Sequence, residues 1–175
     1  MPYACPPVSR QNLRDLATLI RKQFHLETRL DFPVIEFLEW MMPLLMNDDS
    51  FTFQVIEDKK WIYSLDRHAY YDLNEHCIYI REAIYLGAVS KNGRDRMTIM
   101  HECAHAILLQ CFHLQLCRSF EKHIPAYRDP EWQAMCLAGE LMMPCELISK
   151  MTISEVADSC GVSWEAAKYQ LSKIG

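Results

Sequence analysis

His101 and His105 stand four residues apart in the run His101-Glu102-Cys103-Ala104-His105. On an α-helix that spacing sends both side chains out of one side, about 40° apart around the axis at 3.6 residues per turn. Both imidazoles then reach one metal ion. Glu102 leans over the same side without ligating, placed to hold a water on that metal. This is the H-E-x-x-H arrangement of zinc hydrolysis, with the glutamate as general base. The opposing reading is a helix whose histidines only pack or hydrogen-bond, and spacing, residue types and context together argue against it.

A helix must carry these residues, and its periodicity can be read apart from the motif. Met97, Met100, Ala104, Ile107, Leu108 and Cys111 recur at helical spacing and mark a buried stripe. The histidines fall at its rim, between core and cleft. Catalytic zinc takes three protein ligands and keeps one position open for water. The extended pattern H-E-x-x-H-x-x-G-x-x-H needs glycine at 108 and histidine at 111, where this chain has Leu108 and Cys111. A carboxylate from a following helix is the remaining common solution. That helix starts with Asp129 as cap and Pro130 in its first turn, is closed by Pro144, and offers Glu131 and Glu140. Nine residues apart, the two lie about 180° from each other. Met135, Ala138 and Met142 fall on the side of Glu131, which predicts that Glu131 faces inward and Glu140 points away. A carboxylate heading an apolar stripe needs a partner, because burying it bare is costly. Zinc is one candidate partner. The alternative is an acid set in a first helical turn to suit the macrodipole.

The elements around this pair are expected as follows. Ser9 caps a first helix with Leu13, Leu16, Ala17, Ile20 and Phe24 on its inner side. A second helix starts near Pro33 and carries Val34, Phe37, Leu38, Met41 and Met42 until Pro43 disturbs it. Phe51 to Glu57, Trp61 to Leu65, Ala69 to Leu73 and Cys77 to Arg81 read as short strands with polar turns between them, predicting an antiparallel meander. Cys77 to Arg81 is the candidate edge strand for pairing with an extended substrate, or else an ordinary covered strand. Phe112 to Asp129, with His113, His123, Tyr127 and Arg128, has little pattern and is expected to drape over the cleft.

At 175 residues, half of them hydrophobic and only 5 of them glycine, the chain is long and apolar enough for one domain with a real core. A net charge of −5 gives no electrostatic reason for nucleic acid or an anionic membrane as partner. The first residues, Met1-Pro-Tyr-Ala-Cys-Pro-Pro, show no secretory signal, and Phe32 to Met46 is too short and too charged to span a bilayer. Eight cysteines without a C-x-x-C pair then read mostly as small buried hydrophobes in a cytoplasmic protein.

Gly93-Arg-Asp-Arg-Met-Thr-Ile-Met-His-Glu-Cys-Ala-His105, followed by Glu131-Trp-Gln-Ala-Met-Cys-Leu-Ala-Gly-Glu-Leu-Met-Met-Pro144, resembles the ImmA/IrrE family of metallopeptidases. The likeness runs from about Trp61 to Gly175, with Ala104 where the family usually has glycine. It implies that His101, His105 and Glu131 bind Zn²⁺ and that Glu102 is catalytic. It also implies a setting in mobile elements or stress-response loci, with a paired helix-turn-helix repressor as protein substrate. The resulting expectation is an α+β, zincin-like metallopeptidase domain over residues 1–150, containing a small antiparallel sheet, followed by a helical tail over residues 151–175.

That tail resembles a helix-turn-helix around Gly161, which raises the alternative of a DNA-binding or protein-binding regulator with a structural or vestigial zinc site. Two lysines against Glu155, Asp158 and Glu165 argue against a DNA reader. Packing through Val156, Cys160, Ala167, Leu171 and Ile174 is favoured, and a repressor-docking surface is the further option. His123, Tyr127, His68 and Tyr79 are candidates to stabilise an oxyanion.

Overall fold

The computed structural model describes residues 3–63, 66–111, 117–118 and 123–174. Helix α1, Arg10–Gln23, begins where the Ser9 hydroxyl accepts the Asn12 N–H at 3.1 Å, and it buries Leu13, Ala17 and Ile20. Arg21 is buried on the same helix and donates to the carbonyls of Leu141 and Leu26, each at 2.6 Å. Next, α2, Val34–Glu36, runs through a π-helical turn, Phe37–Met41, into α3, Met42–Met46. Pro43 therefore does not end the helix. Its ring would clash with the carbonyl four residues back, at Glu39, and the wider π turn lies at that position.

The sheet departs from the expected meander. Strands β2 (Thr52–Ile56), β3 (Ala69–Asp72) and β4 (Cys77–Arg81) lie in the order β2-β4-β3, with β2 parallel to β4 and β3 antiparallel to it. The β3–β4 turn is as read: the Asp72 carboxylate accepts the N–H groups of Asn74 and Glu75, and His76 takes a left-handed φ of 50°. Between β2 and β3 the chain does not turn tightly. It makes a 3₁₀ turn at Asp58–Lys60, and Trp61–Tyr63 form no strand, so β4 can insert between the other two. Leu65 lies outside the described residues. Cys77–Arg81 is thus the central strand, and β3 is the edge beside the site. Ile78 and Ile80 are buried, while Tyr79 and Arg81 alternate to the more open face.

Helix α4, Glu82–Val89, leads into α5, Gly93–Ala106, which continues as a π-helical turn over Ile107–Cys111. The Asn92 side chain caps α5 by accepting from the Asp95 N–H. Helix α6, Pro130–Met142, starts at Asp129, whose carboxylate accepts the Glu131 N–H at 3.0 Å. Helices α5 and α6 form the middle of the core, where Ile99, Met100 and Cys103 pack near Ala134, Leu137 and Leu141. Then come α7, Cys145–Ile148, and the pair α8, Ile153–Cys160, and α9, Trp164–Leu171. Between α8 and α9, Gly161 takes a φ of 62°, a left-handed turn that glycine adopts without a Cβ penalty. Val156, Cys160 and Ala167 are buried against the body, as is Gln170.

Of the segment expected to drape over the cleft, the strand β5, Cys117–Arg118, pairs antiparallel with β1, Tyr3–Ala4. Residues 112–116 and 119–122, His113 among them, lie outside the described residues. Cys5, Cys77, Cys103, Cys136 and Cys160 are buried free thiols. No helix among the described residues is long and apolar enough to cross a membrane. The architecture is α+β, rich in helix, with a small mixed sheet.

Candidate metal centre

His101 and His105 leave α5 on one side, one helical turn apart, and their rings stand nearly perpendicular with centroids 4.6 Å apart. Glu131, in the first turn of α6, meets them from across the cleft. Its Oε2 lies 3.1 Å from His101 Nε2 and its Oε1 lies 3.3 Å from His105 Nε2. The two Nε2 atoms are themselves 3.1 Å apart. Donors about 2.0–2.1 Å from a tetrahedral zinc lie about 3.3 Å from one another, so these three donors match that spacing. Two facing imidazole nitrogens can share only one proton, whereas a cation between them satisfies both lone pairs. The residues present therefore fit a metal ion.

Glu102 is 9% exposed, and its Oε2 accepts the Tyr71 N–H of β3 at 2.8 Å. Burial pushes its carboxyl pKa above the ordinary carboxylate value, against the pull of His101, His105 and that N–H. Hydrogen bonds with His101 and His105 hold Glu131 far below its usual range. Burial lowers His101, but Glu131 and Glu102 more than reverse that effect. The centre is a carboxylate–imidazole cluster at the cleft surface, with a second, more basic carboxylate set behind it.

Contrary to what its periodicity predicts, helix α6 does not turn Glu131 inward and Glu140 outward. Glu131 is exposed and Met135 is 53% exposed, so the start of their face lines the cleft, and only Ala138 and Met142 further along it are buried. Glu140 does point the other way, yet it is 1% exposed and held by Arg14 at 3.0 Å and Arg10 at 3.4 Å, both on α1. Residues Gln133 and Ala134 and all of Cys136–Met142 are buried, so hydrophobic periodicity had no power to mark one face.

Of the oxyanion candidates, His68 lines a cavity of about 370 Å³ together with Thr98 and Glu102. Tyr79 stacks on Tyr70 and its hydroxyl donates to Glu75, on the open face of the sheet. Tyr127 serves through its carbonyl, which accepts from Val8 N–H and from Gln133. His123 is exposed. The residue missed in the sequence is Tyr71, because a backbone donor leaves no residue-type signature.

No curated protein matches the chain. A family model, Peptidase_M78, described as the IrrE N-terminal-like domain, matches residues 54–172, a stretch that holds α5, α6 and the α8–α9 pair. The match covers well over half the sequence and includes every residue of the cluster just described; the chain belongs to the Peptidase_M78 family of metallopeptidases, the ImmA/IrrE type that its two motif blocks resemble.

Proposed function

We propose that this protein is a zinc-dependent endopeptidase of zincin-like type, with His101, His105 and Glu131 as metal ligands and Glu102 as general base. The observation that carries this reading is the convergence of Nε2, Nε2 and a carboxylate on one point, within 4.8 Å of one another, beside a buried glutamate. Bound zinc would supply a Lewis acid that lowers the pKa of water to about 7.

The chain's own residues account for the remaining chemistry. His101 and His105 present Nε2, so each ring must keep its proton on Nδ1. Glu102 uses Oε2 to hold the Tyr71 amide, which fixes the carboxylate and leaves Oε1 to take the proton of the attacking water. Its raised pKa suits that task, since a base nearer neutrality both accepts and returns a proton. Glu102 then gives the proton to the departing amine. Of the four oxyanion candidates, His68 shares a cavity with Glu102, which supports it as the residue to stabilise charge on the carbonyl oxygen. Edge strand β3 lies alongside and suits an extended peptide.

The family resemblance supports a protein substrate, and a helix-turn-helix repressor encoded alongside is the one assigned. The regulator alternative has no observation in its favour beyond the shape of the tail. The test is metal analysis of the purified protein together with cleavage of that repressor. About one zinc per chain, with cleavage abolished in Glu102→Gln, is the expected result. Full cleavage by Glu102→Gln would remove Glu102 from the mechanism.

A further inference from the structure

A cavity of about 550 Å³ opens beside the metal centre, with His101 and Glu131 at its mouth. Most of its exposed wall is apolar, from Met97 on α5, Met135 and Met143 on α6 and its end, and Ala166 on α9, with Arg94 and Glu165 as charged lining residues. Thr98 lines both this cavity and the smaller one holding Glu102 and His68, so the two adjoin at that residue of α5. A substrate carbonyl at the metal centre has this cavity as its immediate neighbour.

The third wall is held firmly. Arg96 donates from Nε to the Gly161 carbonyl at 2.9 Å and from a terminal nitrogen to Cys160 at 3.2 Å. A Cβ on Gly93 would sit 2.5 Å from the Val162 carbonyl carbon, so α5 meets the α8–α9 turn backbone to backbone. Gln170 is 1% exposed and donates to the Met143 carbonyl, close above Gly139. Helix α9 is thereby fixed on the lip of the catalytic cleft, with Ala166 and Tyr169 turned toward the space beside Glu131.

We infer that α9, held in place by α8 and its turn, is the specificity wall of the enzyme: together with α5 and α6 it forms a pocket that receives one bulky apolar side chain of the substrate, next to the scissile bond. This rests on the metallopeptidase reading above. The tail then reads the substrate through an apolar pocket as well as packing on the body. The volume exceeds what one leucine, methionine or phenylalanine side chain fills, so such a side chain is admitted together with neighbouring substrate backbone. Methionines suit such a pocket because their unbranched side chains adapt to several apolar shapes.

The probe is a pair of peptide hydroxamates identical except for leucine or alanine beside the hydroxamate, titrated calorimetrically into zinc-loaded protein. Wild type should prefer leucine by about 10- to 50-fold, the gain from partly or fully burying three additional carbons. Ala166→Trp, which fills the pocket from α9, should reduce that preference to within about twofold while zinc content stays unchanged. Met135→Gln, at a half-exposed position on α6, should reduce it too, and covers the case in which the tryptophan disturbs folding. Normal zinc content with no leucine preference in wild type, or an unaltered preference in both variants, overturns the pocket assignment alone. Failure of the folded protein to take up zinc overturns the catalytic reading beneath it.

Discussion

Glu131 and Glu140 lie on one helix and face opposite electrostatic problems. Glu131 is exposed and is held between two imidazoles, whereas Glu140 is buried and is held by two guanidinium groups. Removing either carboxylate therefore has a different consequence. Glu131→Ala should weaken zinc binding by at least about 10- to 100-fold, measured by competition with a chelator, and leave the melting temperature of the metal-free protein nearly unchanged. Glu140→Ala should leave zinc affinity within about twofold but destabilise the fold by about 2 kcal/mol in urea titration. That figure is below a fully buried pair because Arg10 and Arg14 are partly exposed and regain water. Glu102→Gln should retain zinc and lose about 10²- to 10⁴-fold in cleavage rate, the usual contribution of a positioned base. A pair of variants at 131 and 140 with exchanged phenotypes would refute the assignment of the two faces. The histidine pair was legible because four-residue spacing on a helix is a local property. The roles of Glu140 and Arg21 were not, because each depends on partners more than a hundred residues away.

At the scale of elements, the same distinction separates what local pattern determines from what topology determines. The starts of α1, α5 and α6 follow from caps at Ser9, Asn92 and Asp129, each a side chain satisfying an orphan N–H. The caps at Ser9 and Asp129 were readable. Strand order was not, since alternation in β2 and β4 states which residues face inward but not which strand lies beside which. Alternation could not say that β4 runs parallel to β2, and that pairing turned the expected edge strand into the central one. The junction of α5 with the tail is the element contact most exposed to a single change. A methyl group on Gly93 would press on the backbone at Val162 and Ser163, at 2.5 and 2.7 Å, where no rotamer change can relieve it. Gly93→Ala should therefore cost about 1–3 kcal/mol and loosen α8–α9. Hydrogen exchange should show faster exchange at residues 153–171, with α1 unaffected. Uniform protection across α8 and α9 in that variant would show that the junction tolerates more space than the backbone contacts imply.

Across the whole molecule, Arg96 is the point where three separate parts of the chain meet. It is 1% exposed on α5, and its guanidinium donates to the Phe32 carbonyl and to Asp31 before α2, and to the Cys160 and Gly161 carbonyls at the end of α8. Arg96→Met keeps the aliphatic length but strands those acceptors, and should lower stability by about 3–5 kcal/mol. Its partner Asp31 gives the arrangement a pH signature. Burial raises the Asp31 carboxyl, but Lys91 at 2.9 Å and Arg96 at 2.8 Å outweigh it, so the folded value lies below the ordinary carboxylate value. A depressed carboxyl contributes stability that is fully present above its unfolded pKa, about 3.9, and is lost as pH falls through the folded value. Asp31→Asn removes this contribution at pH 7, where the variant should be less stable than wild type. The gap should then close as pH drops below about 4, because wild type itself loses the charge. Urea midpoints of the two proteins should be compared in metal-free form, so that loss of a metal in acid does not enter the difference. A gap that stays constant from pH 7 to about pH 3 would mean that Asp31 acts through hydrogen bonding alone, and that its charge contributes nothing to holding Arg96.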